Sequence, residues 1–127
     1  MGYSLQTIFD EGFVRFVVTG ENSPATLASF LEGCIAICRR SGARIALIED
    51  RLSGKDVDLE RLFQIIGDAC DGARDLVDLV CYVKTSPEHD PAMVRFAENI
   101  ATNHRLNVRV CRSVDEALLY IAHARGS

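Results

Sequence analysis

A hydroxyl, a carboxylate and an imidazole close together are the raw material of hydrolysis, and Ser86, Glu88 and His89 stand that way in the stretch TSPEHD, with Asp90 directly after them. A nucleophilic hydroxyl needs a base within hydrogen-bond reach and a third group to orient that base, and a metal centre needs three or four converging ligands. The stretch holds one histidine, and Asp90 precedes Pro91 in the arrangement of an N-cap before a proline at the first helical position. A turn-rich loop explains these residues without chemistry. No catalytic residue and no metal ligand is assigned here; Ser86, Glu88 and His89 are carried forward as contacts for a ligand or a partner.

A second group, Arg51, Ser53, Gly54 and Lys55, precedes a helix whose unpaired amides and dipole favour an anion. Asp56 and Asp58 occupy the same helix end and repel one. The Gly54-Lys55 pair also lacks the flanking glycine and the following hydroxyl of a phosphate-binding loop. An ordinary polar connection is expected, with Arg51, Ser53 and Lys55 as candidate contacts. Cys34 and Cys38 share one helical face and could chelate a metal, but no His or carboxylate joins their stripe. The five cysteines form no C-x-x-C pair, so reduced, buried thiols acting as small hydrophobes are expected. His104 and His123 fall near helix C-termini, where a cation is favoured. Tyr3, Tyr82 and Tyr120 are too scattered to form a stacking platform for bases. The chain is expected to need no cofactor.

The elements that position these residues are read from hydrophobic period. Met93, Phe96, Ala97, Ile100 and Ala101 fall at helical spacing. Val108 and Val110 alternate with Asn107 and Arg109 at strand spacing, and Val114, Ala117, Leu118 and Ile121 return to helical spacing. Such alternation lays helices against a largely parallel sheet. Upstream, Leu5 to Asp10 and Phe13 to Thr19 are strand-like and joined by Glu11-Gly12, which forces an antiparallel hairpin. Val14, Phe16 and Val18 point one way while Arg15, Val17 and Thr19 point the other, so one face of that strand is packed and the other partly wet.

Ser23 caps a helix that has Pro24 at its first position and ends at Ser41-Gly42, with Leu27, Phe30, Leu31, Cys34, Ile35 and Cys38 as its stripe. Gly33 inside it points to a close backbone contact. Arg44 to Glu49 is a buried strand, and the polar stretch Asp50 to Asp56 links it to a helix capped by Asp56 or Asp58. The expected core face of that helix is Leu59, Leu62, Phe63, Ile66 and Cys70, and Gly72 is its expected stop. Leu79 to Val83 is the fourth strand. Ser113 and Glu116 form a capping box for the last helix. The expectation is one α/β domain over residues 1–127: a mixed five-stranded sheet, with an N-terminal antiparallel hairpin followed by parallel β-α units.

With 127 residues, roughly two-thirds of the unfolded surface should be buried on folding, enough for a core without staples. A hydrophobic share of 48% beside 25% charged residues excludes a disordered chain. A net charge of −4 without a Lys or Arg block argues against nucleic acid as main partner. The N-terminus lacks a basic start followed by an apolar run, and Gln6 stands where a myristoylation signal wants Ser or Thr, so a cytoplasmic location is expected. The most apolar window, Ala25 to Cys38, is too short to span a bilayer and contains Glu32.

The order of elements, together with RFAENIATNHRLNVRVCRSVDEALLYI over Arg95 to Ile121, resembles the SpoIIAA-like bacterial proteins, a branch of the fold shared by STAS domains and, more distantly, CRAL-TRIO lipid-transfer domains. The resemblance spans nearly the whole chain and implies strands in near-sequential order with helices mostly along one face. Two departures matter. Where anti-sigma-factor antagonists present a phosphorylatable hydroxyl beside an Asp, Lys55-Asp56-Val57-Asp58 has none; and Asn103-His104-Arg105 lacks the expected glycine, so Asn103 or His104 is expected to supply the left-handed cap. What the likeness to STAS domains implies is a non-catalytic regulatory or protein-interaction domain with an unidentified protein partner or a homodimeric state. What the likeness to CRAL-TRIO domains implies is binding of a small apolar ligand or lipid, with peripheral contact to a membrane surface.

Overall fold

Glu11 and Gly12 leave two residues to reverse the chain, and Gly12 supplies the left-handed backbone (φ 87°) that the reversal requires. β1 (Tyr3–Asp10) and β2 (Phe13–Glu21) therefore pair antiparallel, with Asp10 opposite Phe13 and Tyr3 opposite Gly20. The computed structural model describes residues 2–55, 57–85 and 91–126. Beyond the hairpin they form α1 (Pro24–Ser41), β3 (Ile45–Ser53), α2 (Leu59–Ala73), β4 (Leu79–Lys84), α3 (Pro91–Asn103), β5 (Val108–Cys111) and α4 (Val114–Gly126). The expected mixed five-stranded sheet is present in the order β1-β2-β3-β4-β5, and every pair after the hairpin is parallel.

Sequential order and the uniform handedness of β-α-β crossovers together put every crossover helix on one face of the sheet. Accordingly Val14, Phe16 and Val18 of β2, Ala46, Ile48 and Leu52 of β3 and Val80 of β4 share a core with α1, α2 and α3. Only the last helix is free of that constraint. α4 packs on the opposite face against β3, β4 and β5, where Leu47, Cys81, Val83, Cys111, Ala117 and Ile121 form a smaller core. On that second face Phe13 of β2 packs against the smaller core and Val17 is buried, while Arg15 is half-buried and Thr19 exposed.

The caps follow their local chemistry. Ser23 accepts from the Thr26 amide at 3.1 Å, Asp58 from the Arg61 amide at 3.0 Å and Ser113 from the Glu116 amide at 3.1 Å. Glu116 accepts from the amide of Arg112 at 3.4 Å. Gly42, at φ 76°, closes α1 and donates its N–H to the Cys38 carbonyl. A Cβ at Gly33 would stand 3.3 Å from the Leu5 side chain, so what comes close to this glycine is a side chain and not the backbone that its place in the helix suggests. Asp90, the expected cap of α3, lies outside the described residues.

Four expectations are corrected. β3 does not stop at Glu49 but runs to Ser53, because Asp50 and Leu52 keep the inward phase of Ala46 and Ile48. Gly72 does not end α2: the helix continues to Ala73 and Arg74 closes it, while Gly72 sits where a Cβ would meet Ile35 of α1 at 3.4 Å. Leu59 and Phe63 are exposed, since α2 buries the narrower stripe of Leu62, Cys70 and Ala73; the Phe63 ring lies 6.4 Å from that of Phe96 on α3. The left-handed residue after α3 is Arg105 (φ 63°), not Asn103 or His104. Leu106 donates to the Ala101 carbonyl and Arg105 to that of Thr102, a Schellman closure that places the positive φ one residue later than expected.

Candidate functional site

The helices over the main face do not lie equally close to it. α1 approaches β2 and α3 approaches β5, whereas α2 makes its close backbone approaches to α1 and α3. Between this helix layer and the strands lies a cavity of about 160 Å³. Its walls are apolar, supplied among others by Phe16 and Ile48 from the sheet, Leu27 and Cys34 from α1, Leu62 and Ile66 from α2, and Ala97 and Ala101 from α3. Among the described residues, Asn22, Asp50, Tyr82 and Lys84 are the polar side chains along it, apart from the thiols. Three of these gather at the carboxyl ends of β3 and β4, because the parallel register sets Asp50 beside Lys84 and Ile48 beside Tyr82.

Asp50 is 1% exposed, and a buried carboxylate is costly unless paired and hydrogen-bonded. The Tyr82 hydroxyl donates to Asp50 Oδ2 at 2.6 Å, the Leu52 amide donates to Oδ1 at 2.9 Å, and Lys84 Nζ stands 3.9 Å from Oδ2. The Thr85 amide donates to the backbone carbonyl of Asp50 at 3.0 Å. Burial first, then the adjacent Asp50 charge and the hydrogen bond to it, hold the Tyr82 phenol well above its ordinary pKa. The phenol therefore remains a proton donor through the neutral range.

The thiols around the cavity are inert by the same physics. Burial pushes Cys34 and Cys38 upward, and Cys70 to about 11 with help from the charge of Asp71. On the opposite face burial raises Cys81 and moves Cys111 to about 12. All five are buried free thiols, so they pack as small hydrophobes and present no thiolate near pH 7.

The sheet's other face carries a second polar cluster. Glu49 is 2% exposed between Arg15 of β2, whose Nη2 donates to Oε1 at 3.2 Å, and Arg51, whose guanidinium lies against Oε2. The Arg15 Nε is buried without a hydrogen-bond partner among the described residues.

Arg51 is thus engaged with Glu49 on the face opposite the cavity. Ser53 donates to the Gly20 carbonyl at 3.3 Å, and Lys55 is exposed in the following loop, where its carbonyl accepts from Asn22. The helix end beyond them is capped by the Asp58 side chain. Ser86, Glu88 and His89 lie outside the described residues. His104 meets Asp71 at 2.9 Å on the protein surface. Asp50, Tyr82 and Lys84, which the cavity brings together, are not among the sequence candidates: Asp50 reads as the start of a polar connection, and Tyr82 as one of three tyrosines too scattered for a stacking platform. The available signal was phase, since Asp50 continues the alternation of Ala46 and Ile48, and Tyr82 and Lys84 continue that of Val80.

Among the described residues no group of three or more potential metal ligands gathers, and no helix is long and apolar enough to cross a membrane. The fold defines an α/β protein with a mixed five-stranded sheet and an N-terminal antiparallel hairpin. Comparison with protein-family models finds no match, and comparison with curated proteins finds none either.

Proposed function

We propose that this protein is a non-catalytic ligand-binding domain of SpoIIAA-like type that takes a small apolar molecule between the sheet and helices α1 to α3. One observation carries this reading: a cavity of about 160 Å³ with apolar walls and, among the described residues, one polar cluster at the strands' carboxyl ends. An apolar cavity of about 150 Å³ stays dry and admits benzene, so volume and lining both suit a compact apolar guest. The sequential strand order agrees with the family resemblance, and binding of an apolar ligand is what the likeness to CRAL-TRIO domains implies.

Native mass spectrometry of freshly purified protein tests it. The expected result is a non-covalent adduct that disappears in Ala69→Phe, a substitution that fills the cavity from α2. Without a carried ligand, benzene at about a hundredfold excess over its Kd should stabilise the fold by about 2.7 kcal/mol. An empty protein whose melting temperature ignores benzene overturns the proposal.

A second reading, self-association as a regulatory module, rests on α4. Ala117 and Ile121 are buried against the sheet, but Leu118 (expected to face it too), Leu119 and Tyr120 are exposed on the same helix, Leu119 at 72%. Light scattering across concentration tests for a homodimer; strictly monomeric behaviour counts against it.

A further inference from the structure

Hydrogen-bond capacity at the polar end of the cavity limits what can sit there. An ionised carboxylate offers about four acceptor positions, whereas a phenol has one proton to give and two lone pairs to receive with. Asp50 receives hydrogen bonds from Tyr82 and from the Leu52 amide, and Tyr82 commits its one proton to Asp50. Among the described residues the pair therefore has unused capacity as acceptor, not as donor, at the end of a largely apolar chamber.

Resting on the ligand-binding reading above, we infer that the occupant is a small, neutral, largely apolar molecule with one hydroxyl, of the phenol or short aliphatic alcohol class, whose O–H donates to the Tyr82–Asp50 pair. A hydrocarbon of the same size fills the volume but leaves the acceptors unmatched. A carboxylate brings a second negative charge beside Asp50, whose own charge already has the Lys84 ammonium at 3.9 Å. The inference thus separates alcohols from fatty-acid-like ligands, although both are amphipathic.

Titration of the full chain with benzene, phenol and benzoate, followed calorimetrically, tests the ranking. Benzene is the most hydrophobic of the three, so burial alone places it first. The expected result is the inverse: phenol about tenfold tighter than benzene, the size of effect that one added hydrogen bond supplies, and benzoate weakest. In the double variant Asp50→Leu/Tyr82→Phe both acceptors are gone while the apolar volume is kept. There phenol should lose its tenfold advantage and benzene should still bind. Phenol binding no tighter than benzene to the unaltered protein, or benzoate matching phenol, overturns the inference and leaves the cavity standing as a ligand site. Failure of all three to bind overturns the ligand site itself. Should the double variant not fold, the ranking in the unaltered protein decides alone.

Discussion

Glu49 shows how a single side chain can matter to this sheet without taking part in its cavity. Its carboxylate lies between two guanidinium groups, and 2% exposure leaves it little water to fall back on. Arg15 and Arg51 are 28% and 52% exposed, so solvent screens part of the attraction and the cost of breaking it falls below that of a fully buried pair. Glu49→Gln should destabilise the fold by about 1–2 kcal/mol, read as a lower urea midpoint at unchanged slope. An unchanged midpoint would show that the cluster contributes nothing net. Neither Glu49 nor Asp50 was legible as a buried acid, because their partners Arg15 and Tyr82 are set by strand register over more than thirty positions. Ser23, Asp58 and Ser113 were legible because each acts on an amide three residues away.

The same division holds for whole elements. Helices announce themselves through period and caps, so α1 and α4 begin where Ser23 and Ser113 indicate. Ends fixed by tertiary packing do not: Gly72 serves the α1–α2 crossing instead of stopping α2, and β3 is prolonged through a residue that reads as loop material. The end of α3 is instructive, since the Schellman closure needs a left-handed residue and the chain places an arginine there. A side chain in that conformation costs roughly 1–2 kcal/mol, from which glycine's greater freedom in the unfolded chain must be subtracted. Arg105→Gly should therefore stabilise by about 0.5–1 kcal/mol and raise the melting temperature, whereas Arg105→Val should lower it. A fall in melting temperature for the glycine variant would mean that the Arg105 side chain contributes more than its backbone costs.

At the scale of the molecule, periodicity made the helix-on-sheet class readable and the family resemblance supplied the near-sequential strand order, from which crossover handedness sets the layers, but the cavity was not readable. No period in α2 tells that the helix rests on its neighbours more than on the strands. What the layers share is the burial of protonatable groups that stay neutral: five thiols and the Tyr82 phenol, all with pKa values raised chiefly by desolvation. In the unfolded chain these groups ionise near their ordinary values, 9.0 for a thiol and 10.0 for the phenol, while the folded chain still holds their protons. Above pH 9 the unfolded state therefore binds fewer protons than the native state, and the linkage relation makes stability fall as pH rises. Below pH 9 the contribution of these groups is fully present and does not vary. Each group that has lost its proton only in the unfolded chain adds a slope of about 1.4 kcal/mol per pH unit. Urea unfolding under reducing conditions should thus give a stability that drops progressively more steeply from pH 9 upward, and Cys34→Ala should make that drop shallower by up to one proton's worth even though it lowers stability at pH 7. A pH slope identical in the variant would show that Cys34 ionises no later in the folded chain than in the unfolded one.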